Sequence, residues 1–329
     1  MTRFAQHEQR MTAYFFTFIT AFFAALILTP AVQRLSLRTN ILDFPGERKV
    51  HQAPIPRLGG LALFGAVMAA LFIGLIVAHL THMHRHPGPL LGIGLGSLGM
   101  LLIGILDDKW GLAPWMKMLG QVGCALVTMG FGVDITFVSN PTGGVIPLAL
   151  LSVPITLIWI VGVTNAVNLI DGLDGLATGL SAIAAITLFV VALRTHQVET
   201  ALILIAVAGA AIGFLRFNFF PASIFLGDCG SLFLGYILAT SSVVGVLKST
   251  LIIAFVIPIL ALGIPIFDTA TAIVRRFRSR APLFQADQHH LHHRMLALGL
   301  TQKGVVLTLY AVGVFLCSGA LLITLSSRR

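Results

Sequence analysis

Apolar positions in this chain do not alternate with polar ones at the period of a strand or a half-exposed helix. They come in long unbroken blocks separated by short polar stretches. Ten blocks stand out, at 11–33, 58–80, 88–106, 114–132, 146–164, 176–194, 199–216, 231–247, 250–268 and 304–326. Each is close to the roughly 17–25 apolar residues that cross a bilayer as a helix. The pattern predicts an all-α polytopic membrane protein of about ten transmembrane helices, a single integral-membrane domain over residues 1–329. The first block follows Arg3 and Arg10 as a signal peptide's core would. It is long, however, and no A-x-A site closes it, so an uncleaved first span is expected.

Composition agrees. Hydrophobic residues make up 57% of the chain and charged residues 10%, with a mean hydropathy of +0.95. Soluble domains carry about 25% charged residues. The net charge of +9 raises the question of nucleic acid, and its distribution answers it. Ten spans put both termini on one side. The loops after spans 1, 3, 5, 7 and 9, with their membrane edges, hold 14 of the 21 basic residues. That bias places these loops in the cytoplasm and both termini outside. The excess charge then reflects topology and headgroup contact rather than nucleic-acid binding. The three cysteines are scattered, with no disulfide framework and no C-x-x-C pair.

The acids are more informative, because sorting by positive charge does not require them on the same side. Nine of twelve fall on the cytoplasmic loops or their edges: Asp43, Glu47, Asp107, Asp108, Asp171, Asp174, Asp228, Asp268 and Asp287. In "GILDDKWGLAPWMK" (104–117), Asp107 and Asp108 close an apolar run. They sit at a helix C-terminus, where the dipole opposes them. Such a pair suits a metal site or a general base. In "NAVNLIDGLDGLATG" (165–179), Asn165, Asn168, Asp171 and Asp174 recur every three residues. Gly172 and Gly175 argue against an unbroken helix there. This set offers donors and acceptors for a base, a ribose or a hydrated cation. In "RFNFFPASIFLGDCGS" (216–231), Asp228 lies between Gly227 and Gly230, with Asn218 ten residues before it. Cys229 has no neighbour that would lower its pKa, so it is not read as a nucleophile.

The first loop, "DFPGERKVHQAPIPRLGG" (43–60), is shaped by prolines and glycines and offers Lys49, His51 and Arg57 to an anion. The last carries "ADQHHLHHRMLALG" (286–299), with His289, His290, His292 and His293 ahead of Arg294. Zinc is one reading of these histidines; a clamp on a diphosphate is another. A second histidine-rich stretch, "HLTHMHRH" (79–86), lies across the membrane from the acids and reads as a solvated loop. All five cytoplasmic loops thus bear compact polar motifs, as expected of one composite site built at the membrane surface. An ion-coupled carrier would place such groups near the bilayer midplane, where the spans here are nearly free of charge. A metal-sensing scaffold built on the histidines would leave the acidic motifs unexplained.

Taken together, "DDKWGLAPWMK", "NAVNLIDGLDGLA", "NFFPASIFLGDCGS" and "HHLHHR" resemble, in order, the motifs of the polyprenyl-phosphate N-acetylhexosamine-1-phosphate transferases. Members of that family move a sugar 1-phosphate from a UDP-sugar to a lipid phosphate, using Mg²⁺, for which Mn²⁺ is a substitute. The resemblance spans residues 40–300. It implies that Asp228 ligates the metal, with Asp171 shaping the metal site, and that Asp107 and Asp108 serve the acceptor phosphate. It further implies that Asn168, Asp171 and Asp174 hold the uridine, while His289, His290, His292, His293 and Arg294 bracket the donor diphosphate. Lys49, Lys117 and Asn218 match further binding positions. "HHLHHR" and "RKVHQAPIPRLGG" are similar to the branch using UDP-N-acetylglucosamine and undecaprenyl phosphate, rather than the branch making peptidoglycan lipid I, which has a histidine triplet. A homodimer in the plasma membrane is also implied.

Overall fold

The computed structural model describes residues 3–45, 53–80, 87–139, 144–247, 256–279 and 291–326. It is a helical bundle of α1 (Arg3–Thr39), α2 (Gly59–Leu80), α3 (Pro87–Trp110), α4 (Pro114–Gly130), α5 (Ser152–Ile170), α6 (Leu176–Arg194), α7 (Val198–Asn218), α8 (Gly227–Ser242), α9 (Val256–Ala261), α10 (Gly263–Ser279), α11 (Leu291–Ala297) and α12 (Gln302–Ser326). Among the described residues two small antiparallel pairs accompany it. β1 (Leu42–Asp43) aligns with β2 (Ile55–Pro56), and β3 (Phe137–Ser139) with β4 (Val145–Pro147). Among the described residues, eight helices are long and apolar enough to cross a membrane. α4, at 17 residues, lies at the short limit for a span. The histidine-rich stretch lies largely outside the described residues.

The structure moves several expected boundaries. The fifth span is displaced toward its C-terminus, from 146–164 to α5, because Pro147 ends a strand and Pro154 is tolerated in a first helical turn. Asn165 and Asn168 therefore lie inside a membrane helix. The eighth begins four residues early, at Gly227, because a carboxylate from another helix caps it. The described part of the ninth run is broken: α9 stops at Ala261, and α10 restarts at Gly263 with Pro265 in its first turn.

α6, α7 and α8 are the most enclosed spans, and α1 and α12 lie outside them. Contact is close because small residues let backbones approach. A Cβ on Gly209 would lie 2.6 Å from Phe18 O, and one on Gly213 2.5 Å from Phe22 O, so α1 and α7 meet nearly backbone to backbone. Several polar groups in the spans find partners inside the bundle, which lipid cannot supply. Thr164 donates to Ile160 O, Tyr236 to Cys124 O, and Trp159 Nε1 to Ser242 Oγ.

At one end of the bundle the loops are knitted through backbone. Phe225 N donates to Pro56 O at 2.8 Å, Gly59 N to Phe225 O and Gly60 N to Leu226 O. The loop before α8 thus satisfies the first N–H groups of α2, which have no partner within that helix. A Cβ on Gly60 would fall 2.1 Å from Gly230 N, and one on Gly104 2.3 Å from Cys229 Cα. The N-terminus of α8 is therefore wedged between α2 and α3.

Candidate active site

The polar groups of this end converge on Lys117, in the first turn of α4. Its Nζ lies 2.8 Å from Asp107 Oδ2 and 3.4 Å from Asp228 Oδ1, and donates to Asn168 Oδ1 at 3.2 Å. One ammonium joins α3, α5 and α8 to α4. A cation near a helix N-terminus opposes the dipole, so these carboxylates, not the helix, hold its charge.

Asp107 and Asp108 are adjacent in sequence but point about 100° apart on a helix. Asp107 faces Lys117, and its other oxygen accepts Leu112 N–H at 2.7 Å, which fixes the turn after α3. Asp108 faces inward and is wholly buried. Its two oxygens accept the N–H groups of Asp228, at 2.9 Å, and Cys229, at 3.0 Å, and Arg57 Nη2 lies 3.3 Å away. Asp108 is thus the N-terminal cap of α8, supplied from α3. Gly227, at φ 72°, makes room: a Cβ there would lie 2.0 Å from Arg57 O and 2.7 Å from Asp108 Oδ2.

Arg57 also pairs with Asp43 at 3.3 Å, fastening the β1–β2 loop to the site. Burial works against its charge, but Asp108, Asp228, Asp43 and Asp171 outweigh it and raise its pKa. Asn168 Nδ2 donates to Asp228 Oδ1 and, at 2.8 Å, to Ser231 Oγ, aiming the Asp228 carboxylate. One turn earlier, Asn165 and Gln121 exchange amide hydrogen bonds between α5 and α4.

The "DGLDGL" turn joins α5 to α6. Asp171 caps the C-terminus of α5, half-buried. Burial pushes its carboxyl well above the ordinary range, and Asp228 and Asp108 push the same way, against Arg57. Gly175, at φ 77°, precedes the first turn of α6, and its carbonyl accepts the Tyr310 hydroxyl of α12. His292, buried in α11, lies over Gly172: a Cβ there would come 2.3 Å from its Nε2. His293 is exposed beside it, with ring centroids 4.3 Å apart.

The structure therefore brings together Asp107, Lys117, Asn168 and Asp228, with Asp108 behind Asp228, and sets His292 against the turn that carries Asp171. Asp174 and Asn218 serve the loop leading to α8. Asp174 Oδ2 accepts Ala222 N–H at 2.9 Å. Asn218 accepts from Thr178 Oγ1 at 2.7 Å and donates to Ile224 O at 3.0 Å. Arg294 is exposed on α11. Lys49, His289 and His290 lie outside the described residues. Cys229 is buried, with its thiol against the carbonyls of Arg57 and Leu226. Gln121 and Ser231 escaped the sequence reading. A lone amide within an apolar run was the available signal for Gln121.

This fold and site define a polytopic membrane protein whose clustered polar groups sit at one end of the bundle. The model of glycosyl transferase family 4 matches residues 90–246. Over 307 residues the chain is 39% identical to a probable undecaprenyl-phosphate N-acetylglucosaminyl 1-phosphate transferase of Bacillus subtilis, covering 93% of this chain and 84% of that protein. It is 34% identical over 316 residues to a decaprenyl-phosphate N-acetylglucosaminephosphotransferase of Mycobacterium tuberculosis, covering 89% and 78%. A phospho-N-acetylmuramoyl-pentapeptide-transferase of Halalkalibacterium halodurans is 30% identical over 314 residues, covering 90% and 93%. The chain belongs to glycosyl transferase family 4, bearing out the resemblance read from its four motifs.

Proposed function

We propose that the protein transfers N-acetylglucosamine 1-phosphate from UDP-N-acetylglucosamine to undecaprenyl phosphate, releasing UMP, at the cytoplasmic edge of the plasma membrane and with Mg²⁺. The observation that carries this reading is the Lys117 junction, where Asp107, Asn168 and Asp228 from three helices meet one ammonium. Phosphoryl transfer needs positioning and charge neutralisation more than covalent help. A water-soluble nucleotide and a lipid phosphate can meet only at the membrane surface. The basic bias of the loops at the site end supports a cytoplasmic location. The relatives named for N-acetylglucosamine, at 39% and 34% identity against 30% for the muramoyl enzyme, support the donor.

In the proposed reaction an oxygen of the lipid phosphate attacks the β-phosphorus of the donor. A new P–O bond forms there, the bond to the bridging oxygen breaks, and that oxygen leaves with UMP. Lys117 offsets the charge of the acceptor phosphate, Asp107 beside it would take that phosphate's proton, and His292 and His293 bear on the diphosphate. Asp228, aimed by Asn168, together with Asp171, would hold the Mg²⁺. Among the described residues no three acidic, histidine or cysteine groups close a metal cage. Mg²⁺ is commonly held by one or two carboxylates, with waters and substrate phosphates completing it, so this donor set fits. When bound, the ion would neutralise diphosphate charge during transfer. With both oxygens engaged by the N–H groups of α8, Asp108 is assigned the cap, and direct attack by the lipid phosphate is preferred to a covalent phospho-aspartate. The outer face of α10 supports a lipid acceptor, since Phe267, Ala270 and Val274 run beside Arg275 and Arg278.

The test is donor choice. Purified protein with undecaprenyl phosphate and Mg²⁺ is expected to release UMP from UDP-N-acetylglucosamine. Release from UDP-N-acetylmuramoyl-pentapeptide alone would transfer the chain to lipid I synthesis. Silence with both would overturn the reading.

A further inference from the structure

Asp268 lies in α10 and is 4% exposed, in a helix whose other face carries exposed Phe267 and Phe277. A buried carboxylate is costly unless its charge is met by hydrogen bonds or ion pairs. Asp268 Oδ1 accepts the backbone N–H of Leu291, the first residue of α11, at 2.8 Å. Both the unmatched N–H groups and the dipole of a helix start favour a carboxylate there. The next residue is His292, whose ring rests on Gly172 in the turn bearing Asp171. A chain of contacts thus runs from α10 through one backbone N–H to the histidine helix and on to the site.

We propose that Asp268 is a positioning residue that sets the height and register of α11, and so of His292 and His293, over the α5–α6 turn. It touches no substrate; it acts on the donor through the histidines. The inference rests on the reading in which those histidines bear on the donor diphosphate, and its structural half can be measured apart from that reading.

Two variants and two readouts decide it. Asp268→Ala removes the acceptor, while Asp268→Asn keeps an oxygen facing Leu291 N–H and loses only the charge. In wild-type protein, backbone amide exchange over residues 291–297 is expected to be slow; in Asp268→Ala it should rise about tenfold, with Asp268→Asn between the two. In UMP release, Asp268→Ala should raise KM for the UDP-sugar about tenfold, with kcat and the Mg²⁺ half-saturation nearly unchanged, and Asp268→Asn should restore most of the loss. Unchanged exchange in Asp268→Ala overturns the cap. Faster exchange with an unchanged KM overturns the functional half. An equal fall of kcat and kcat/KM in both variants, together with a lower melting temperature, marks a purely structural residue and overturns the proposal. A wild-type protein silent with every donor condemns the proposed function instead, and leaves the exchange result to decide the cap.

Discussion

At the residue scale, the paired aspartates show how neighbours in sequence divide their work. Asp107 and Asp108 have the same chemistry, yet the helix turns one to Lys117 and the other to the start of α8. Asp108→Asn places an amide N–H₂ against one of two backbone N–H groups that need an acceptor. It is expected to destabilise the protein by about 1–3 kcal/mol, read as a lower melting temperature in detergent. Asp107→Asn should leave melting nearly unchanged while lowering turnover. At the junction itself, Lys117→Met removes the charge that Asp107, Asn168 and Asp228 share. The expected loss is about 10²–10³-fold in kcat, the scale of deleting one preorganised electrostatic group, measured by UMP release at saturating donor. Lys117→Met at near wild-type rate would remove the junction from the mechanism.

At the scale of elements, the site is only as accurate as the docking of α8 between α2 and α3. Gly104→Ala forces a methyl group into the backbone of Cys229, and Gly60→Ala does the same at Gly230. Each is expected to destabilise by about 1–3 kcal/mol or more, since backbone cannot yield as a side-chain tip can. Gly123→Ala, with open space at its Cβ, is the control whose melting should not change. These glycines also mark the limits of the sequence. Apolar block length pointed to the helices, and the crowding of acids on alternate loops pointed to the end where the polar groups converge. Neither could show that α5 begins at Ser152, since that depends on Pro147 ending a strand and on the Gln121 amide of α4 pairing with Asn165 within the bundle. Nor could spacing separate Asp107 from Asp108, or show that Asn218 and Asp174 hold a loop, because Thr178, Ala222 and the α8 amides that Asp108 caps lie tens of residues away in sequence. Arg57 read as a loop cation of unknown duty; only the fold sets it between Asp43 and Asp108.

At the scale of the molecule, the helices run alternately, so the ends of α3, α5 and α7 and the starts of α4, α6, α8 and α12 share one face. β3, β4 and the start of α5 occupy the other. Every contact of the Lys117 junction lies on the first face, the one the basic residues assign to the cytoplasm. That assignment has a direct consequence. Leu150, 93% exposed just before α5, should face outward, and Leu298, 80% exposed just after α11, should face the cytoplasm. Two introduced cysteines, Leu150→Cys and Leu298→Cys, can each be exposed to a membrane-impermeant maleimide. The buried Cys229 and Cys317 should contribute little background, and replacing the half-buried Cys124 removes the rest. In right-side-out vesicles the first reporter should label and the second should not; in inverted vesicles the pattern should reverse. The opposite pattern would put the site on the outer face, out of reach of any cytosolic nucleotide, and the proposed donor would fall with the topology.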